Sequence, residues 1–298
     1  MKPRVVIAGG SGFIGHALGA ALRASYDVVV LSRSGRGGDG VRAAKWDGAT
    51  LGDWRKEVDG AFAVINLSGE SITLPWTDEN KKRIVDSRVN STAVLREAIL
   101  ASAEPPQVWI NGSAVGFYGD TGETVADESS RAGTDFLSTT CLAWEGAVEP
   151  NPPQTRVVLL RTGFVLGKDG GAFPLLLKLT RAFIGGAVGS GQQWVPWVHV
   201  DDLVGLFVWA LTAEVSGPVN GCAPQPVRNS ELMGTLRKVV GRPWVPPAPA
   251  FALGLLSKFG GPEAAPALVS SRAVPAVALR AGFVFRFTYL ATAMRSLV

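Results

Sequence analysis

Gly9, Gly12 and Gly15 stand three apart, directly after the apolar run Arg4-Val5-Val6-Ile7-Ala8 and among Phe13, Ile14, Ala17, Leu18, Ala21 and Leu22, which are apolar at helical spacing. Glycines so placed allow a tight turn, a close approach of the backbone to a ligand, and close packing of the helix on the strand. The helix N-terminus then offers unpaired N–H groups and a positive dipole end, and the ligand that fits in a strand-turn-helix setting is a dinucleotide pyrophosphate. Gly10-x-Gly12-x-x-Gly15 satisfies a second spacing with the same chemistry, so the register stays open. After the β-branched run Asp27-Val28-Val29-Val30-Leu31, the position of a carboxylate that would accept from a ribose 2′-hydroxyl is taken by Ser32-Arg33-Ser34. A guanidinium between hydroxyls binds a 2′-phosphate through charge-assisted hydrogen bonds, which predicts NADP(H) over NAD(H). The competing reading makes Arg33 a solvated loop charge like Arg36 and Arg42.

Positioning such a loop takes alternating strands and helices. Ala61 to Asn66 reads as a buried strand followed by the loop Leu67-Ser68-Gly69-Glu70. Thr77 begins a helix to about Ala101, with Asp78 and Glu79 suiting the dipole of its first turn. Gln107 to Asn111 and Arg156 to Leu160 are the next strands. Past Gly163 the pattern loosens, with helices predicted at 172–183, 201–213 and 229–240. The fold class is α/β, a Rossmann-type doubly wound parallel sheet with a smaller C-terminal α/β substrate lobe. Residues 1–240 form the nucleotide-binding domain, with segments after about 163 partly in the lobe, and 241–298 a small C-terminal domain. Pro243 to Pro249 reads as a semi-rigid connector. The apolar helix at about Phe251 to Phe259 either covers the cleft or forms a homodimer face.

Composition narrows the class further. The chain has 298 residues, 47% of them hydrophobic, enough for a substantial core. Its apolar stretches, such as Leu203 to Ala213, are too short to span a bilayer, and no signal segment precedes the first strand, so a cytoplasmic protein without membrane contact is expected. Cys141 and Cys222 are isolated, which predicts reduced packing residues and no metal site. A net charge of +4 without a Lys/Arg block gives no case for nucleic acid.

Several separated motifs then carry a resemblance that covers essentially the whole chain. The glycine loop, Asn66 to Glu70, Ser87-Arg88-Val89-Asn90-Ser91-Thr92, Gly112 to Asp120, Leu160 to Gly163, Trp197 to Leu203 and Ala281 to Phe287 resemble an extended short-chain dehydrogenase/reductase, more narrowly the sugar-nucleotide-epimerase-like oxidoreductases with a small C-terminal domain. The resemblance implies that the glycine loop with Phe13 and Ile14 holds the pyrophosphate and Ser32 and Arg33 the 2′-phosphate. It sets Asp47 near the adenine and lines the path to the nicotinamide ribose with Leu67, Ser68, Gly69 and Glu70; the competing reading of Glu70 is an exposed loop acid. It implies Ser113 as the catalytic hydroxyl, against a serine that only ends a strand, and singles out Tyr118 as the only tyrosine near the expected mouth, in a proton-donor role or in a packing or cofactor-side one.

The sequence departs from the pattern where chemistry is concentrated. No Tyr-x-x-x-Lys occurs, and alignment on Trp144-Glu145 puts Leu137 and Cys141 at the two positions. Leucine has no proton to move and cysteine no fixed cation. His199 and the acids Asp201 and Asp202 are expected to order structure, the acids by capping the next helix. Two functions remain: an NADP(H)-dependent oxidoreductase or epimerase-like enzyme acting on a small-molecule carbonyl or hydroxyl, or a non-catalytic NADP(H)-binding sensor.

Overall fold

A computed structural model describes residues 1–36, 40–150, 153–249, 263 and 265–298. The strands are β1 (Arg4–Ala8), β2 (Asp27–Ser32), β3 (Arg42–Lys45), β4 (Ala63–Asn66), β5 (Val108–Ala114), β6 (Val125–Ala126), β7 (Arg156–Thr162), β8 (Phe164–Leu166), β9 (Trp194–Val195), β10 (Trp197–His199), β11 (Gly217–Gly221), β12 (Val227–Arg228) and β13 (Arg272–Ala273). Between them lie α1 (Phe13–Leu22), α2 (Arg55–Val58), α3 (Asp78–Leu100), α4 (Phe136–Gly146), α5 (Phe173–Arg181), α6 (Val200–Thr212) and α7 (Asn229–Val239). Seven strands form one sheet in the order β11-β7-β5-β4-β1-β2-β3, with every neighbouring pair parallel.

Successive side chains on a strand face opposite ways, so each run feeds two cores. Val5 and Ile7 pack with Leu18 and Leu22 of α1 and with Leu206 and Phe207 of α6. Val6 and Ala8 pack on the other face with Leu95 and Ile99 of α3 and with Trp54 and Val58. Cover on both faces is why these strands read as unbroken apolar runs. From β1 the chain moves to one side for β2 and β3, then crosses to the other for β4. The strand order therefore reverses between β1 and β4, and the crevice beyond their carboxyl ends is where such sheets bind ligands.

Thr77 caps α3, its hydroxyl accepting from the Asn80 N–H, with Asp78 and Glu79 in the first turn as the sequence indicated. Helices α5, α6 and α7 fall within one or two residues of their expected spans. Strand β5 runs on to Ala114 and β7 to Thr162, because the two interior strands keep pairing through Gly112–Leu160 and Ala114–Thr162. The expected helix at Phe251 to Phe259 lies outside the described residues.

The capping of α6 differs from expectation. His199 Nδ1 accepts from the Asp201 N–H at 3.0 Å, so the histidine is the cap. Buried Asp202 instead accepts from the backbone N–H groups of Arg286 at 2.8 Å and Phe287 at 2.9 Å, fastening the C-terminal segment to α6. That segment carries Phe287, Leu290 and Met294 into a third core with Leu232, Met233 and Leu236 of α7. Asp202→Ala strands two N–H groups and should cost about 2–4 kcal/mol of unfolding free energy, seen as a lower urea midpoint; an unchanged midpoint contradicts this.

His199 carries a pH dependence. Burial holds its pKa below the ordinary 6.5 despite Asp201 and Asp202, and protonation at Nδ1 would remove the acceptor that caps α6. The folded state binds the proton less readily than the unfolded chain, so this contribution is complete above about pH 6.5 and is lost as pH falls through the depressed value. Stability of the wild type should decline between pH 7 and 5 in denaturant titrations. His199→Asn, which keeps a capping acceptor, should flatten that decline.

Candidate functional site

At the reversal point a cleft of about 450 Å3 is bounded on one side by Gly9, Ser11 and Gly12, on another by Leu31, Ser32, Arg33, Trp46, Asp47 and Gly48, and on a third by Leu67 to Glu70, Ser87 and Ser91. Each edge has a local cause. Gly9 has φ +71°, and a β-carbon there would lie 2.8 Å from the Ser68 nitrogen. A β-carbon on Gly15 would fall 2.4 Å from the Gly10 carbonyl oxygen, so this glycine seats α1 on the turn. Gly12 is different: its β-carbon would meet only the Gly9 oxygen, at 3.7 Å, and α1 starts there without a side-chain cap. The protein's own packing therefore does not require glycine at position 12, whereas a ligand seated on the helix N-terminus would.

The Leu67–Glu70 edge is held by a buried amide pair. Asn66 Nδ2 donates to Asn111 Oδ1 at 2.9 Å and to Thr92 Oγ1 at 3.1 Å, while its Oδ1 accepts from the Ser68 N–H at 3.0 Å. Ser68 Oγ is buried and has no partner among the described residues. The Glu70 carboxylate accepts from Arg83 Nη2 at 3.1 Å. Asp47 serves its own loop first, accepting from the N–H groups of Ala49 and Thr50 and from the Thr50 hydroxyl, bonds that hold its pKa at about 2. Arg33 is exposed and makes no ion pair or hydrogen bond among the described residues, while Ser32 Oγ sits 3.4 Å from Ser34 Oγ. The cleft thus has a helix N-terminus at its centre, an uncommitted guanidinium at one end and an orphaned hydroxyl at the opposite edge, a donor set that suits a phosphorylated dinucleotide.

Phe13 and Ile14 do not line this cleft with their side chains. The Phe13 ring lies where β-carbons on Gly167 and Gly170 would be, and Ile14 packs against the core, so neither residue lines the cleft. Trp46, its ring edge-on to Trp54 at 5.6 Å, lines the cleft beside Asp47 and was not singled out from sequence. A lone aromatic next to a strand end carries no distinguishing signal.

Ser113 and Tyr118 are buried, are not among the residues that line this cleft, and belong to a connected polar chain. Ser113 Oγ donates to Glu145 Oε1 at 2.6 Å. Arg161 grips both oxygens of Glu145, through Nε and Nη2 at 2.8 Å each, and donates from Nη1 to the Tyr118 hydroxyl at 3.0 Å. Tyr118 in turn donates to Asn220 Oδ1 at 2.7 Å. Burial pushes the Tyr118 pKa up to about 12, against the opposing charge of Arg161. Ser113 has one hydrogen and it lies on a carboxylate, so the serine presents lone pairs to a neighbour. Glu145 and Arg161 were not singled out for chemistry from sequence, since they meet only after β7 is laid beside β5 and α4.

Helix α4 packs Leu137 against Gly116 and Cys141 against the Ala114 carbonyl, with Sγ at 3.6 Å. Burial drives the Cys141 thiol up to about 12, and Cys141 and Cys222 are both free and buried. Among the described residues no group of His, Cys, Asp or Glu could hold a metal ion, and no helix is long and apolar enough to cross a membrane.

This sheet order, with its glycine turn at the reversal point, defines a Rossmann-type nucleotide-binding fold. The chain belongs to the NAD dependent epimerase/dehydratase family, whose model matches residues 5–221, and residues 248–297 match a domain of unknown function, DUF1731. It is 39% identical over 302 residues to the Arabidopsis thaliana epimerase family protein SDR39U1 homolog, chloroplastic, covering 99% of this chain and 86% of the relative. The crystal structure of human epimerase family protein SDR39U1 (isoform2) with NADPH superimposes with a TM-score of 0.88 at 32% identity, covering 99% of this chain and 98% of that one. MoeE5 in complex with UDP-glucuronic acid and NAD shares the fold, with a TM-score of 0.77 at 21% identity over 98% of this chain and 96% of that one.

Proposed function

We propose that the protein binds NADP(H) in the cleft between the glycine turn and Arg33 and acts as an oxidoreductase or epimerase-like enzyme on a small molecule bearing a carbonyl or hydroxyl. The observation that carries this reading is the joint placement on one cleft of the α1 N-terminus at Gly12, which has no side-chain cap, and of Arg33, which has no partner among the described residues. The NADPH complex of the human relative supports it. In the proposed pose the backbone N–H groups of Gly12 to Ile14 hold the pyrophosphate, and Ser32 and Arg33 the 2′-phosphate. Trp46 and Asp47 flank the adenine, and Leu67 to Glu70 flank the second ribose.

Bound NADP(H) would supply the hydride acceptor or donor. The protein's part is the proton. A substrate hydroxyl donates to Ser113 Oγ as the serine hydrogen passes to Glu145 Oε1; reduction runs the same transfer in reverse. Arg161 holds the Glu145 carboxylate in place, and Tyr118, its own hydrogen on Asn220, acts as a positioning residue for Arg161. The free, buried cysteines agree with a reducing, cytoplasmic setting.

A second reading, an NADP(H)-binding sensor without catalysis, is favoured by α4, which presents Leu137 and Cys141 to the end of β5. NADPH deuterated stereospecifically at nicotinamide C4, incubated with a broad carbonyl panel, separates the two. Deuterium in a product supports the enzyme. Silence across the panel with cofactor binding intact selects the sensor.

A further inference from the structure

Arg88, on α3, is a half-buried cation that makes no ion pair among the described residues, the Glu70 carboxylate acting on it only at longer range. Both hydrogens of Nη1 are placed, on the Glu70 carbonyl and the Ile84 carbonyl, each at 3.0 Å. The guanidinium lies over the Trp144 ring, 5.1 Å from its centroid, and burial lowers its pKa. No described residue accepts from Nη2 or Nε, yet neither is among the fully buried unpartnered atoms, so this edge keeps an opening. The guanidinium lies directly behind Gly69, where a β-carbon would stand 3.0 Å from Cζ and 3.2 Å from Nη2; Arg88 itself is not among the residues that line the cleft. Gly69, Ser87 and Ser91 line the end of the cleft remote from Arg33.

A dinucleotide with its phosphorylated adenosine at Arg33 and its pyrophosphate on the α1 N-terminus must lay its second ribose along Leu67 to Glu70. A planar fork with free donors suits two adjacent hydroxyl oxygens. Helix α4 offers no cation there, since Cys141 stands one turn before Trp144. We propose that Arg88 binds the hydroxyls of the nicotinamide ribose through Nη2 and Nε, a cation brought to the cleft by α3. This rests on the NADP(H) reading.

Affinities of Arg88→Gln and wild type for three probes test it by calorimetry: NADPH, 2′-phospho-ADP-ribose, which keeps the second ribose without nicotinamide, and 2′,5′-ADP, which lacks both. The expected result is a loss of about tenfold for the first two and no change for the third. Equal loss for all three marks a structural role and overturns the proposal, as does no loss for any. Loss for NADPH alone places the contact on the nicotinamide ring and also overturns it. If Arg88→Gln does not fold, Arg88→Lys carries the test. Its single ammonium in place of the fork should weaken NADPH about threefold relative to 2′,5′-ADP, and an unchanged ratio overturns the proposal. Wild-type protein that binds neither NADPH nor 2′,5′-ADP defeats the underlying NADP(H) reading instead.

Discussion

Arg33→Asp should lower NADPH affinity by about 100-fold while changing NADH affinity less than about threefold, measured by calorimetric titration of both cofactors. A charge-assisted hydrogen bond to a phosphate is worth about 1.5–3 kcal/mol, and the new carboxylate adds repulsion. A 1.4 kcal/mol difference is about tenfold, which gives the expected size. The variant should fold as well as wild type, because Arg33 is exposed and makes no ion pair or hydrogen bond among the described residues. An aspartate beside Ser32 can also accept from the free 2′-hydroxyl of NADH, so the preference should invert. Equal losses for both cofactors would mean that Arg33 does not read the phosphate.

The second large effect concerns stability. Arg161→Met should destabilise the protein by about 3–5 kcal/mol, the range for removing one partner of a buried ion pair. Arg161 and Glu145 side chains are 4% and 10% exposed, so water cannot take over the lost bonds, and the Ser113 hydroxyl alone is left to offset the carboxylate. Tyr118 loses its donor and Phe117 the guanidinium 3.4 Å from its ring centroid. The double variant Arg161→Met with Glu145→Met should recover much of the loss, since it removes both charges together. Urea midpoints read this; a single variant within about 1 kcal/mol of wild type would show that the pair is not buried as described.

What could be read from the sequence was whatever depends on neighbours in the chain. The glycine turn is a local device, and Gly9 and Gly15 prove to be required by contacts within a few residues and with the adjoining β4 loop. Unbroken apolar runs announced a sheet covered on both faces, and Thr77 with Asp78 and Glu79 announced the start of α3. What stayed hidden depends on packing between remote segments. Glu145 and Arg161 are ordinary charged residues until β7 and α4 bring them together, and Arg88 becomes a half-buried cation only once α3 lies beside Gly69 and Trp144. The cap of α6 was misassigned for a related reason. Asp201 and Asp202 have the right chemistry for the N-terminus, but one sits inside the first turn and the other is claimed by Arg286 and Phe287, far along the chain. Side-chain direction also escaped the sequence: Phe13 stands in the glycine motif, yet its ring turns to the 167–171 loop.

In the proposed pose the crevice beyond β1 and β4 grips a phosphorylated adenosine through Arg33 and a pyrophosphate through the turn at Gly12. Titrating the wild-type protein with NADPH and with NADH under identical salt tests it most directly. NADPH should bind at least tenfold more tightly, and Gly12→Ala, whose β-carbon would meet no protein atom closer than 3.7 Å, should fold normally but lose both cofactors. NADH binding as tight as NADPH, or Gly12→Ala binding both unchanged, would contradict it.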